Sequence, residues 1–121
     1  MKELTQEMTV QEQQTAEKVA SGTLPVLATP VLIAFMENTA MKLLTELPEG
    51  ETSVGTAINM QHLKASAIGE TIRCTARLVN VEGRKYSFEI EAYDSSNNLV
   101  GKGTHERFAV NSERFMSKLI K

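Results

Sequence analysis

The chain has 121 residues, which is the size of one ordinary domain with a single core. A formal net charge of -2 with 23% charged residues supplies no basic field, so neither nucleic acid nor an anionic membrane surface is an expected partner. No run of residues is long and apolar enough to cross a bilayer. The lone Cys74 cannot form an intramolecular disulfide, and without an apolar signal segment at the N-terminus the expected compartment is the cytoplasm.

The first element with a clear pattern is a helix. Residues 21–30 contain one glycine and two prolines and are predicted to be loop. Thr29 precedes Pro30 in the arrangement typical of a helix start, with a hydroxyl cap before a proline at the first helical position. The helix is predicted from Pro30 to about Glu46, because apolar residues recur at spacings of three and four. The predicted apolar stripe comprises Ile33, Met36, Ala40, Leu43 and Leu44.

Four segments with a period of two follow and are predicted to be strands. Their inward faces are, in chain order, Val54, Thr56, Ile58, Met60 and His62; Ile72, Cys74, Ala76 and Leu78; Tyr86, Phe88, Ile90 and Ala92; and a fourth segment from Leu99 to Val110. Glu82-Gly83 predicts a hairpin, and the turn formers at 95–98 predict another turn. Residues 112–121 are predicted to form a short helix, and whether residues 4–10 join the sheet is left open.

These elements together indicate a fold class. Consecutive strands joined by tight turns form an antiparallel meander, and the apolar stripe of the one long helix requires a sheet to cover it. The predicted fold is therefore α+β, with a curved antiparallel sheet wrapped around one central helix in a single domain over residues 1–121.

Glu37 is the residue whose place in the helix most clearly indicates chemistry. On a helical wheel it falls between Ile33 and Ala40, inside the apolar arc that should face the sheet. A partly desolvated carboxylate there is suited to accept a proton or to act as a nucleophile near neutral pH. The alternative is a glutamate at the edge of the stripe with its carboxylate in solvent.

The two histidines lie in different predicted strands. His62 ends the inward run of the first strand, so its imidazole is expected near Glu37, either as a structural hydrogen-bonding group or as a catalyst. The second belongs to His105-Glu106-Arg107 in the last strand, where alternation prevents all three side chains from facing one pocket.

Thr29 also has two interpretations. A threonine before a helix that begins with proline is expected as a cap in any protein. As a catalytic group, its hydroxyl would lie beside unpaired backbone N–H groups, where a carbonyl that develops negative charge would be stabilised. Cys74 is interpreted as a small core residue, and no metal site is predicted, because one cysteine without a tight cluster of histidines and carboxylates does not make a zinc site.

Four segments carry a resemblance to a known family. They are ATPVLIAFMENTAMKLL, EGETSVGTAINMQHLKASAIGETI, VEGRKYSFEIEAYD and GKGTHERFAV. From about Gly22 to Phe115 the chain resembles the thioesterase family typified by the fluoroacetyl-CoA thioesterase. The resemblance implies a hot-dog fold and a homodimer with active sites at the subunit interface. It leaves open whether two dimers associate further.

The resemblance also implies roles for individual residues. Thr29, Glu37 and His62 match the catalytic residues of the family, and Gly55 and Arg107 match residues that contact substrate. Arg107, if it faces the pocket mouth, would bind carboxylate or phosphate groups of the substrate. In the fluoroacetyl-specific member, aromatic residues before the catalytic threonine form a lid, whereas residues 11–28 of this chain contain none. Fluoroacetate selectivity is therefore not implied.

The functional hypothesis is hydrolysis of a small or medium acyl-CoA to free acid and CoA, with no cofactor because coenzyme A is part of the substrate. Glu37 would activate water or attack the carbonyl, Thr29 would hold the oxyanion, and His62 would orient the thioester or protonate the thiolate. One alternative is a non-catalytic hot-dog protein that binds acyl-CoA or another small ligand. A hydratase acting on enoyl-CoA ranks last, because no Asp/His pair precedes the helix.

Overall fold

The structure is a computed structural model that describes residues 2–120, so the predictions for Met1 and Lys121 lie outside the described residues. Its elements are, in chain order, β1 (Glu3–Thr9), a 3-10 helix (Glu12–Gln14), α1 (Ala16–Val19), α2 (Thr29–Leu43), β2 (Glu51–His62), β3 (Thr71–Glu82), β4 (Lys85–Tyr93), β5 (Leu99–Asn111) and α3 (Ser112–Ser117). The predicted long helix, four strands and terminal helix are all present, whereas the two short helices before α2 were not predicted.

The five strands form one antiparallel sheet in the order β1-β3-β4-β5-β2. β1 pairs with β3, so the N-terminal segment joins the sheet at one edge, and β2 lies at the other. The predicted hairpin connects β3 to β4, and Gly83 adopts a positive φ of 62° there, which a residue without a Cβ tolerates. The sheet and its helix confirm the predicted α+β class.

The core lies between α2 and the inner face of the sheet. Leu32, Met36, Ala40 and Leu43 are the buried apolar residues of the helix. The strands contribute Ile72, Cys74 and Ala76 from β3 and Phe88, Ile90 and Ala92 from β4, which confirms the faces predicted for these two strands. Cys74 is fully buried, and burial raises the pKa of its thiol to about 11, so it is a core residue as predicted.

The prediction of Thr29 as the helix cap is wrong by one residue. Ala28 is the cap, with an extended backbone at φ -71° and ψ 137°, and Thr29 is the first helical residue. The backbone N–H of Ala28 donates to the carbonyl of Gln14 at 3.0 Å, and the buried Ala28 carbonyl accepts from Leu32 at 3.0 Å. Because these bonds fix Ala28 at the helix entrance, the Thr29 hydroxyl is not used as a cap.

The predicted inward face of β2 is wrong in its first half. A β-bulge at Thr56 interrupts the pairing, since Gly55 lies opposite Arg107 whereas Ala57 lies opposite Glu106. The extra residue reverses the alternation, because paired residues point to the same side of a sheet. The residues of β2 that share the inner side with the buried residues of β5 are therefore Ser53, Gly55, Ile58, Met60 and His62.

Candidate active site

Thr29 and His62 meet where α2 begins and β2 ends. Oγ1 of Thr29 lies 2.8 Å from Nδ1 of His62, a hydrogen-bond distance. A hydroxyl bonded to an imidazole is the arrangement in which a base activates a nucleophile. The structure thus brings two of the three residues predicted as catalytic into direct contact.

The environment of His62 favours its neutral form. Burial lowers the pKa of the imidazole from its ordinary value, because the charged form would lose hydration, and the nearby backbone of Lys64 acts in the opposite direction. The second ring nitrogen, Nε2, is buried and has no hydrogen-bond partner among residues 2–120. A neutral imidazole of this kind can accept a proton at neutral pH.

A cavity of about 270 Å³ opens beside this pair. Part of its wall is aliphatic, as at Val26, Leu27 and Leu63, and its described lining contains no Phe, Tyr or Trp. Lys64 also lines it, and its ammonium group lies 2.6 Å from the buried carboxylate of Asp94. The cavity therefore combines an apolar wall with the Thr29 and His62 polar atoms.

Glu37 belongs to a second group, farther along α2. Its side chain is half-buried, and it lies beside Gly55 of β2. A Cβ placed on Gly55 would be 3.5 Å from Oε2 of Glu37, 3.4 Å from Nη1 of Arg107 and 3.2 Å from Cε1 of His105. The glycine leaves room where these three side chains converge, and Glu37 faces the sheet as the helical wheel predicted.

Arg107 is held inside the chain by a set of hydrogen bonds. Its Nε donates to Oγ of Ser53 at 2.8 Å, and its Nη2 donates to the Ser53 carbonyl at 3.0 Å. Nδ1 of His105 lies 2.7 Å from the Ala57 carbonyl and must donate to it, which leaves Nε2 to accept from Nη1 of Arg107 at 3.1 Å. Arg107 is only 7% exposed and thus fixes neighbouring groups, rather than lying at a pocket mouth within one chain.

Electrostatics around His105 are consistent with this bonding. Burial lowers the pKa of the His105 imidazole, the charge of Arg107 lowers it further, and the Glu37 carboxylate acts in the opposite direction. Burial also lowers the pKa of Arg107, and Glu37 again opposes the shift. His105 is therefore a neutral side chain that joins the Ala57 carbonyl to Arg107 by two hydrogen bonds. The Glu37 carboxylate lies in the same group of side chains.

The two groups do not meet within one chain. Glu37 follows Thr29 by eight residues, which corresponds to about 12 Å along a helix. His62 follows Gly55 by seven residues, which corresponds to roughly 20 Å along a strand. The expectation that the His62 imidazole lies near Glu37 is therefore not met in a single chain, because β2 carries His62 away from the part of the helix that holds Glu37.

The structure adds two residues that the sequence did not single out. Ser53 binds Arg107 through both its hydroxyl and its carbonyl, and His105 links Arg107 to β2. As the strand alternation predicted, His105 and Arg107 point inward while Glu106 is partly exposed. Strict alternation along β2 assigns Ser53 to the outer side of the sheet. The bulge at Thr56 instead places Ser53 on the inner side, and for this reason the sequence pattern did not reveal it.

Within residues 2–120, no group of three or more His, Cys, Asp or Glu side chains is placed to hold a metal ion. In the same part of the chain, no helix has both the length and the apolar character needed to span a membrane.

Sequence comparisons identify relatives of this chain. Residues 10–113 match the family model described as fluoroacetyl-CoA-specific thioesterase. The chain is 38% identical over 95 residues to the fluoroacetyl-CoA thioesterase of Streptantibioticus cattleyicolor, and the match covers 78% of this chain and 68% of that relative.

Structure comparisons agree. A mutant of the fluoroacetyl-CoA-specific thioesterase, solved in complex with fluoroacetate and CoA, has a TM-score of 0.88 and 32% identity, with 93% of this chain and 95% of that chain covered. A hot-dog-like protein from Thermanaerovibrio acidaminovorans has a TM-score of 0.88 at 24% identity, covers 97% of this chain and 87% of that chain, and supports the fold alone. The predicted hot-dog fold is confirmed.

Proposed function

This chain belongs to the fluoroacetyl-CoA-specific thioesterase family and hydrolyses acyl-CoA thioesters, and from that premise we propose that it cleaves small or medium acyl-CoA with Thr29, Glu37 and His62. The observation that carries the assignment of residues is the 2.8 Å contact between the Thr29 hydroxyl and Nδ1 of His62. This contact links a potential nucleophile to a half-buried base beside a cavity.

The proposed reaction has two steps. Nδ1 of His62 accepts the hydroxyl proton of Thr29 while Oγ1 attacks the thioester carbonyl, and the carbon–sulfur bond then breaks as the proton passes to the CoA thiolate. Glu37 next takes a proton from water as the water oxygen attacks the acyl-threonine ester. The bond between the acyl carbon and Oγ1 of Thr29 then breaks, Glu37 returns the proton to Oγ1, and the free acid leaves. The backbone N–H of Thr29 is proposed to stabilise the oxyanion in both steps, because Pro30 has no N–H and the N–H groups of Val31 and Leu32 already donate to the Ala28 carbonyl.

The acyl group is proposed to occupy the cavity beside His62. Its volume of about 270 Å³ suits a small or medium acyl chain. The lining of Val26, Leu27 and Leu63 favours an aliphatic group and offers no aromatic lid that would restrict the site to fluoroacetyl. This supports a broader acyl range than the name of the Streptantibioticus cattleyicolor relative indicates.

No cofactor is required, because coenzyme A enters as part of the substrate. Cys74 is a free and buried thiol, which fits a reducing compartment such as the cytoplasm.

We further propose a homodimer in which each site draws on both protomers. β2 is a free sheet edge, and the Gly55 group and His62 both lie on it. If two β2 strands pair antiparallel around an axis near Ile58 and Asn59, Gly55 and Glu37 of one protomer come beside Thr29 and His62 of the other. Such a two-fold interface would complete both sites at once.

The first experiment measures free-thiol release from a panel of acyl-CoA esters, from acetyl to long-chain and aryl, with wild type and Glu37→Gln. We expect the wild type to cleave small or medium esters and Glu37→Gln to lose cleavage while still binding CoA. Binding without cleavage by the wild type across the whole panel would instead identify a non-catalytic acyl-CoA binding protein.

A complementation experiment tests the shared site. Glu37→Gln and His62→Ala homodimers are each expected to be inactive. After mixing through denaturation and refolding, a heterodimer would contain one unaltered site if Glu37 acts across the interface, and activity should return. If activity does not return although heterodimers are detected by native mass spectrometry, the three residues act within one protomer.

A further inference from the structure

Residues 63–67 connect the two side chains of the Thr29–His62 contact. The segment begins directly after His62, which is the last residue of β2. Near its other end, the Ser66 carbonyl accepts from the backbone N–H of Leu27 at 2.9 Å, two residues before Thr29. Because one end continues from His62 and the other is bonded close to Thr29, the position of this segment helps to set the distance between the two side chains.

The same segment is attached to the sheet at a second place. The backbone N–H groups of Leu63 and Lys64 both donate to the Val100 carbonyl of β5, at 2.7 and 3.2 Å. The ammonium group of Lys64 lies 2.6 Å from Oδ2 of Asp94, which belongs to the turn between β4 and β5. Residues 63–67 are thus bound to β5 by their backbone and to the neighbouring turn by one side chain.

Asp94 is a fixed partner for Lys64. Its side chain is 2% exposed, and Oδ1 accepts from the backbone N–H groups of Ser96 at 3.0 Å and of Asn98 at 2.9 Å. Oδ2 accepts from Nδ2 of Asn98 at 3.2 Å in addition to Lys64. Because its own turn holds the carboxylate, the place of the Lys64 ammonium group is defined, unlike that of a cation in an exposed surface pair.

Lys64 is also close to the reacting pair. Its backbone is near the His62 imidazole and raises the pKa of His62 against the effect of burial. Lys64 and His62 both line the cavity of about 270 Å³ that is proposed to hold the acyl group. A displacement of Lys64 would therefore disturb the surroundings of the imidazole and one wall of this cavity.

We propose that Lys64 is a positioning residue, whose ion pair with Asp94 holds residues 63–67 and, through them, sets the His62 imidazole against the Thr29 hydroxyl. The inference rests on the proposed catalytic roles of His62 and Thr29. The Lys64 ammonium group is already paired with a buried carboxylate, so it is not assigned to the anionic substrate. Loss of the pair should therefore lower kcat and leave KM unchanged.

The kinetic test compares Lys64→Met with Lys64→Arg. Methionine keeps an unbranched aliphatic side chain without the cation, whereas arginine keeps a cation that can bind Asp94. We expect Lys64→Met to lower kcat about tenfold with KM within about twofold of the wild type, and Lys64→Arg to retain most of kcat. A rise in KM at unchanged kcat would show that Lys64 binds substrate, and an equal loss of kcat in both variants would show that the cation is not the cause. Either result overturns the proposal.

Lys2→Met is the matched control. Lys2 pairs with Glu46 at the same 2.6 Å, but both side chains are exposed, and Glu46 follows the end of α2 that is opposite to Thr29. Removal of this surface pair should change neither kcat nor KM.

A spectroscopic measurement separates this inference from the proposed catalysis. The chain has two histidines, so nitrogen NMR spectra of protein with isotope-labelled histidine contain only two imidazole rings. We expect Lys64→Met to shift the ring nitrogen signals of His62 and not those of His105, and Lys64→Arg to restore the His62 signals. If the wild type cleaves no ester but this selective shift is present, the catalytic proposal fails and the positioning role stands. If the wild type cleaves esters but the His62 signals of folded Lys64→Met match those of the wild type, the positioning role is wrong.

Discussion

The Thr29 hydroxyl lies 2.8 Å from Nδ1 of His62, and this contact joins the first turn of α2 to the last residue of β2. Thr29→Val keeps the shape of the side chain but removes the hydroxyl. We expect kcat to fall about 100-fold or more, while the melting temperature changes by only a few degrees. Thr29→Ser retains the hydroxyl and should keep most of the activity. Equal activity of the valine and serine variants in a thiol-release assay would exclude a catalytic role for this hydroxyl.

Gly55→Ala tests whether the close approach of Glu37, His105 and Arg107 around Gly55 is needed for activity. The added Cβ would lie 3.2 Å from Cε1 of His105 and within 3.5 Å of the Glu37 carboxylate, so these side chains must shift by a few tenths of an ångström. We expect kcat/KM to fall about tenfold with a loss of stability near 1 kcal/mol. Thr52→Ala, on the outer side of the same strand, is the control and should leave both quantities unchanged.

The stability of the fold should decrease as the pH falls below neutrality. Burial lowers the folded-state pKa of His62 and of His105, so the unfolded chain binds protons first as the pH falls through about 6.5. The free energy of unfolding should therefore decrease until the pH reaches the lowered folded-state values. His105→Gln cannot titrate and should show a shallower decrease between pH 7 and 5 in denaturant titrations. An identical slope for the wild type and the variant would contradict this origin.

A separate loss is expected at lower pH from Asp94. Its hydrogen bond with Lys64 lowers the pKa of its carboxyl group well below the ordinary value, with help from the backbone N–H of Asn98. The stabilisation by Asp94 is complete above about pH 4 and is lost as the pH falls toward the lowered value. Asp94→Asn should therefore be less stable than the wild type at pH 7, and the difference should shrink below pH 4. A constant difference across this range would argue against the charge as its cause.

Gly103→Ala should disrupt the pairing of β5 with β2. A Cβ on Gly103 would collide with the Asn59 carbonyl oxygen and lie 2.8 Å from Cα of Met60, and backbone atoms cannot move aside as a side chain can. We expect the free energy of unfolding to fall by about 3 kcal/mol. The neighbouring exposed Thr104→Ala should cost less than about 0.5 kcal/mol, and a similarly small loss for Gly103→Ala would show that the strands can separate without penalty.

The sequence predicted the elements whose signal is local. The stripe of α2 and the alternation of β3 and β4 each depend on residues that are close in the chain, and the turn at 95–98 depends on its own residues. The bulge at Thr56 could not be predicted, because it depends on the register of β2 against β5. The same holds for the helix entrance, where the cap at Ala28 is fixed by the distant carbonyl of Gln14.

The sequence predicted which residues form the site and that two of them face inward, but not how far apart they lie. The wheel position of Glu37 and the strand position of His62 both pointed inward, and the structure agrees for each. Their separation into two groups follows from the different rise of a helix and a strand over similar numbers of residues, which no pattern along the chain reveals. The roles of Thr29, Glu37, His62, Gly55 and Arg107 remain predictions.

The bulge at Thr56 gives β2 one residue more than its partner needs. Gly55 already lies opposite Arg107 and Ala57 opposite Glu106, so deletion of Thr56 would leave an uninterrupted ladder with β5. Gly55 and His62 would both keep their inward side, because each residue retains its partner in β5. A one-residue deletion at the exposed Thr56 is therefore expected to preserve the side chains that β2 presents to α2.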